Sequence, residues 1–133
     1  MIQLTAEQQR LLLEPNLAHI STLMKDGSPQ STPLWVDYVD GYVLVNTADD
    51  RQKARNVRRD PRVSLSVADR NNPIKYVEVR GTVVELIYEG AYEHLTKMAH
   101  KYAGPSANNP APATQVRVIF KIEPLHTTSQ GLA

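Results

Sequence analysis

Between Arg51 and Arg62 the chain carries six basic residues (Arg51, Lys53, Arg55, Arg58, Arg59 and Arg62) against a single acid, Asp60. Such a concentration is either a solvated helix face or a site for an anion. On a wheel of ~3.6 residues per turn, Arg51, Arg55, Arg58 and Arg59 fall on one side, which reads as a solvent face. Lys53 falls elsewhere, beside Ala54 and Val57, the only apolar residues of the segment. A lysine turned toward the packed side is the one whose charge most needs a partner. Arg51, in the first turn, could add a two-pronged contact while the helix N-terminus offers free N–H groups. Asp49 and Asp50 stand at the same helix start and would repel an anion unless they turn away. Upstream, Asn46 and Thr47 bring an amide and a hydroxyl. Thr47-x-x-Asp50 also fits a helix cap, so both readings of Thr47 stand.

Other chemistries are thinly represented. The chain has 133 residues and no Cys, which removes disulfides, thiolate nucleophiles and Cys-ligated metals. The four His (His19, His94, His100 and His126) lack metal-binding spacing; His94 and His100 fall on opposite sides of one helix, so no metal site is expected. A net charge of +1 does not announce nucleic acid or an anionic membrane as a partner, and no aromatic residues interleave the basic run. No apolar run approaches the ~18 residues of a membrane span, and no leader pattern is visible, so a cytoplasmic protein is expected.

These side chains need elements to position them. Thr5-Ala6-Glu7-Gln8 reads as a capping box opening a helix that Pro15 stops after Glu14. Leu17–Lys25 and Gln30–Val39 flank Asp26-Gly27, and Asp40-Gly41 precedes Tyr42–Thr47; the spacing predicts three antiparallel strands in a meander. Asp49–Arg59 reads as a helix, Arg62–Ala68 as a fourth strand, and Ile74–Ile87 as a long fifth with a bulge at Gly81. Tyr88–Tyr102 returns to helical spacing before Gly104-Pro105. Residues 104–113 form a Pro-rich loop, and Gln115–Glu123 closes as a sixth strand. Six strands and three helices, mostly antiparallel, predict one α+β domain on a small barrel or sandwich.

Three stretches carry a resemblance: Gly27-x-Pro29-x-Ser-Thr-Pro33-x-Trp35; Val-Asn-Thr47-x-x-x-Arg51-x-Lys53-x-x-Asn56-x-x-Arg-Asp-Pro61-x-Val63; and Tyr76-Val-Glu-Val-Arg-Gly81-Thr-Val. In order and spacing they resemble the pyridoxamine 5′-phosphate oxidase-like superfamily, and within it the small flavin/deazaflavin-dependent oxidoreductases of the B group. The resemblance spans about residues 10 to 125 and rests on the order of the motifs, since no one of them is diagnostic. It implies an FMN-binding-like, six-stranded split β-barrel with flanking helices. It also implies a homodimer with two cofactor sites between the subunits.

The resemblance further implies that Lys53 and Arg51 meet a cofactor phosphate, with Arg55 and Asn56 nearby. By the same carry-over, Val45, Asn46 and Thr47 touch the cofactor tail, and Thr32, Pro33, Leu34 and Trp35 lie along its tricycle. Pro33 cannot donate to a ladder and belongs at an edge. Trp35 either stacks in the site or packs in the core. Tyr76 would approach the cofactor from the partner subunit, while Lys101 and Tyr102 would border the substrate; for both tyrosines half-buried structure is the alternative. The implied activity is hydride transfer between reduced coenzyme F420 and a small organic acceptor. FMN is the alternative cofactor, and a non-catalytic flavin or deazaflavin carrier the alternative role. A cofactor that carries the redox chemistry itself explains why no catalytic triad or paired carboxylates stand out.

Overall fold

Helix α1 (Ala6–Leu13) opens the computed structural model, which describes residues 1–133. Its start is the predicted capping box: the Thr5 hydroxyl accepts from the Gln8 amide N–H, and the Gln8 side chain accepts from Thr5 N–H. The chain then forms β1 (Ala18–Leu23), β2 (Pro29–Leu34), β3 (Val36–Val39) and β4 (Tyr42–Ala48). Helix α2 (Gln52–Arg59), β5 (Arg62–Asp69), β6 (Asn72–Ile87), α3 (Ala91–Ala103) and β7 (Arg117–Gln130) follow. Both expected hairpin turns are present. Gly27 has φ 88°, and Asp40 and Gly41 have φ 54° and 87°, a left-handed pair joining Val39 to Tyr42.

The sheet has seven strands, not six, in the order β2-β1-β5-β6-β7-β4-β3, with every neighbouring pair antiparallel. It curls into a half-barrel flanked by three helices. The predicted meander is corrected: Gln30–Val39 is two strands broken at Trp35, and β2 and β3 lie at opposite edges of the sheet. The reason lies in α3. Val36 N–H donates to the Tyr102 hydroxyl at 3.0 Å, and Val36 C=O accepts from Lys101 Nζ at 2.6 Å. Side chains thus satisfy the backbone that a continuous strand would have paired.

Strand β7 also runs seven residues beyond the expected Glu123, pairing with β6 down to Gln130 opposite Tyr76. The expected irregularity at Gly81 is real. The register shifts between Arg80 and Gly81, and a Cβ there would lie 2.1 Å from the Glu123 carbonyl oxygen. Only glycine allows that approach. Inside the curl, Ile20, Val36, Val43, Val45, Leu65, Val77, Phe120 and Ile122 form the core, with Leu11 and Leu12 of α1 and Ala54 and Val57 of α2 packed on it. No helix is long and apolar enough to cross a membrane.

Candidate functional site

Helix α2 presents its basic residues as the wheel predicts. Arg51, Arg55, Arg58 and Arg59 are exposed, whereas Lys53 is buried at 6% exposure alongside Ala54 and Val57. Burial lowers the Lys53 pKa, and the charges of Arg51 and Arg117 lower it further. Arg117, first residue of β7, is itself half-buried; burial and the charge of Arg51 lower its pKa as well. None of Arg51, Lys53 and Arg117 makes an ion pair with any carboxylate of the chain. Three cations that destabilise one another and have no counter-charge form a site in want of an anion.

The helix start adds to this. Arg51 is the N-cap residue and no side chain caps the helix. Arg51 C=O takes the amides of Ala54 and Arg55, which leaves Gln52 and Lys53 N–H without intrachain acceptors. Asp49 does not compete, because Arg58 and the Tyr88 hydroxyl both engage its carboxylate. The cap reading of Thr47 is not realised: Thr47 is a buried residue of β4.

Next to Arg117 runs a groove of about 510 Å³, within the usual size range of ligand sites. Pro33, Leu34 and Trp35 form one wall at the corner between β2 and β3. Leu95 and Met98 of α3 face it, Pro110, Ala111 and Pro112 border it, and Asn46, Gln115 and Arg117 supply polar groups. The border loop is tied to α3: Tyr92 donates its hydroxyl to Ala111 C=O, and Asn109 donates to Tyr92 C=O and the Thr96 hydroxyl.

The structure sends the site residues expected from the sequence to different places. Pro33, Leu34, Trp35 and Asn46 line the groove, and Arg51 and Lys53 stand at the cation cluster with Arg117. Thr32 is on the inner face of edge strand β2 with its buried hydroxyl unpartnered, so it retains an unused hydrogen bond. Val45, Asn56 and Arg55 are spent elsewhere, and Tyr76 lies away from the groove. Val45 is fully buried core. Asn56 is also fully buried; its amide donates to the Thr22 hydroxyl at 2.9 Å, and its carbonyl accepts from Gln52 and Arg59. Arg55 is held by Asp50 C=O and the Gln52 side chain. Tyr76 pairs with Gln130 at the opposite end of β7 from Arg117.

Lys101 and Tyr102 brace the groove wall from behind. Tyr102 stacks on Trp35, with ring centroids 5.2 Å apart, and donates its hydroxyl to Asn16 C=O. Trp35 therefore packs and lines the groove at once. Lys101 Nζ donates to Leu12 C=O at 2.7 Å as well as to Val36 C=O. Burial pulls the Lys101 pKa down to about 8, while the Asp37 charge partly opposes this. Burial pushes the Tyr102 pKa up to about 12. The unfolded chain then binds the Lys101 proton between about pH 8 and 10.5 and the folded one does not, so stability rises with pH through that window. Tyr102 reverses the trend above its ordinary value of 10, where only the unfolded chain ionises. Urea midpoints measured from pH 7 to 10 are expected to climb in the wild type and to climb less in Lys101→Met.

Sequence reasoning named Asn46 but missed Arg117 and the link from Asn46 through His94 to Asp37. Alternation does place Arg117 on the face opposite Val118 and Phe120. Only the pairing of Ala48 with Arg117 across β4 and β7 brings it toward α2.

Comparison with known proteins follows the fold. The family model described as pyridoxamine 5′-phosphate oxidase matches residues 4–130. A solved structure of an F420 reductase is 31% identical, covering 96% of this chain and 100% of its own, with a TM-score of 0.84. A conserved hypothetical protein of Mycobacterium tuberculosis is 28% identical over 96% of this chain and 84% of its own, with a TM-score of 0.75. The HupZ protein of Group A Streptococcus shares the fold at 22% identity, 98% coverage of both chains and a TM-score of 0.69. No curated protein matches the chain in sequence.

Proposed function

The chain belongs to the pyridoxamine 5′-phosphate oxidase family, and from that premise we propose that it is an oxidoreductase using a phosphate-bearing deazaflavin, coenzyme F420, to reduce a small organic acceptor. The carrying observation is the set of buried Lys53, half-buried Arg117 and exposed Arg51, none of them paired with a carboxylate. Such a set fits a phosphate. Lys53 would contribute charge at short range, Arg117 and Arg51 planar guanidinium donors, and the free amides at the start of α2 further hydrogen bonds. When bound, the cofactor supplies the hydride chemistry. The protein's own part is to bind, orient and exclude water. Pro33, Leu34 and Trp35 offer a flat apolar wall for a tricycle, stiffened by Tyr102 stacked behind Trp35. Leu95, Met98 and the 110–112 loop leave an apolar mouth for the acceptor.

The similarity to an F420 reductase at 31% identity supports the deazaflavin over FMN. One observation favours FMN instead. Three of the four exposed arginines of α2 are already engaged within the chain: Arg55 with Asp50 C=O, Arg58 with Asp49 and Tyr88, and Arg59 with Leu23 C=O. The anionic glutamate tail of F420 would have to compete for them. Exposed pairs contribute ~0.2–1 kcal/mol each, so a preference of only a few-fold to about tenfold for F420 is expected. High salt should shrink it, because exposed attractions are screened beyond ~10 Å at 0.1 M. Fluorescence titrations with F420 and FMN at low and high ionic strength test this. FMN binding as tightly as F420 at low salt moves the assignment to an FMN enzyme. Turnover of reduced F420 with quinone or enone acceptors then separates an enzyme from a carrier.

A further inference from the structure

Arg117 is the only charged residue lining the groove, and a chain of hydrogen bonds runs from it to a buried carboxylate that does not line the groove. Arg117 Nε donates to Asn46 Oδ1 at 2.9 Å, and Arg117 Nη1 donates to the Gln115 side chain at 2.8 Å. Asn46 Nδ2 donates to Ala91 C=O at 2.7 Å and stands 3.1 Å from His94 Nδ1. His94 Nε2 stands 2.9 Å from Asp37 Oδ2, with the two side chains 11% and 8% exposed. Asp37 Oδ1 accepts Tyr38 N–H.

Donor and acceptor counting leaves one arrangement. Asn46 must present its oxygen to Arg117, which only donates, so its nitrogen faces Ala91 C=O and His94 Nδ1. Nδ1 must then accept, and the imidazole carries its single proton on Nε2, directed at Asp37. Burial alone would raise the Asp37 pKa. The hydrogen bonds from His94 and Tyr38 and the charge of Lys97 act against it, and the carboxylate is held ionised below its ordinary value.

We propose that Asp37, His94 and Asn46 form a positioning relay that aims Arg117 into the groove as the third cation of the anion site, and that the relay requires neutral His94. This rests on the phosphate reading of that site. A proton on Nδ1 would confront the Asn46 amide N–H, and rotating Asn46 would turn its N–H toward Arg117 Nε and break the bond to Ala91. Protonating His94 therefore releases Arg117. The groups facing His94 are Asp37 of β3 and Asn46 of β4. Lys97, Lys101 and Tyr102, on its own helix, share the field of Asp37, and Arg51 acts on Arg117. None of these three positioning residues needs to touch substrate.

Nitrogen-15 NMR of the full-length, ligand-free chain reads the relay directly. His94 is expected to carry its single proton on Nε2, and the Arg117 Nε–H is expected to lose exchange protection when acidification places a second proton on Nδ1. A neutral ring with its proton on Nδ1, or an Arg117 Nε–H indifferent to protonation of His94, overturns the proposal. The second arm is Asp37→Asn, whose amide can donate to Nε2 and so reverse the relay. At neutral pH, FMN affinity should fall about tenfold with riboflavin affinity unchanged, since riboflavin lacks the phosphate. Equal losses for both ligands assign Asp37 a merely structural role and overturn the proposal. Wild-type protein that binds FMN and riboflavin equally refutes the phosphate reading instead, and the NMR arm then judges the relay alone.

Discussion

Lys53→Ala is expected to weaken binding of F420 or FMN by roughly tenfold to over a hundredfold, whereas Arg58→Ala changes it by less than about fivefold. The difference comes from where each charge stands. Lys53 is 6% exposed, lacks a carboxylate partner, and sits under the repulsion of Arg51 and Arg117, so a phosphate would satisfy it in a partly dry setting. Arg58 is exposed and already paired with Asp49 and the Tyr88 hydroxyl. Stability of the ligand-free protein should move the other way. Lys53→Met keeps the buried aliphatic stem and removes an uncompensated cation, so its urea midpoint should equal or exceed that of the wild type. Arg58→Ala should lower the midpoint slightly. Equal binding losses for Lys53 and Arg58, or a clearly destabilised Lys53→Met, would refute the assignment of Lys53 to the phosphate. Surface cations without a ligand would show neither pattern.

The features of this molecule that are legible in its sequence are those set by neighbours within a few residues. The Thr5–Gln8 capping box, the Asp26-Gly27 and Asp40-Gly41 turns and the inward-facing Lys53 each follow from local spacing, and each is present. Gly81 was legible for the same reason: an isolated glycine in a strand pattern marks a bulge, and the Glu123 carbonyl occupies the space of its missing side chain. The break at Trp35 was not legible. Gln30–Val39 has strand composition throughout, and it is interrupted because Tyr102 and Lys101, more than sixty residues downstream, bind the backbone of Val36.

Motif position likewise suggested Asn56 as a cofactor ligand, yet its amide is committed to Thr22, 34 residues away. Arg117 and the Asp37–His94–Asn46 chain depend on β4 lying between β3 and β7, an order that no local signal carries. The anion site thus divides along the same line. Its helix-borne half could be read in advance, and its strand-borne half required the fold.

The largest effect expected concerns the second subunit. The resemblance implies a cofactor contact for Tyr76, but Tyr76 pairs with Gln130, whereas Arg117 begins β7. That separation is roughly 40 Å of strand at ~3.3 Å per residue. Tyr76 is absent from the groove lining of its own chain. If Tyr76 meets the cofactor as the resemblance implies, a site containing both Lys53 and Tyr76 is built across a two-fold axis, and a homodimer is then a condition of binding rather than an accessory. The exposed Ile74 beside Tyr76, at 68% exposure, is the kind of apolar surface such an interface would cover. Monomeric protein should therefore lose cofactor binding altogether.

Complementation makes the claim specific. Lys53→Ala and Tyr76→Ala homodimers should each bind FMN poorly. Unfolded together and refolded as a mixture, they should form about half mixed dimers, each with one doubly altered site and one intact site. About a quarter of the sites should then regain wild-type affinity. A mixture that merely averages the two variants would place Lys53 and Tyr76 in the same subunit's site or remove Tyr76 from the site. A sedimenting monomer that still binds FMN at micromolar concentration would remove the requirement for a dimer.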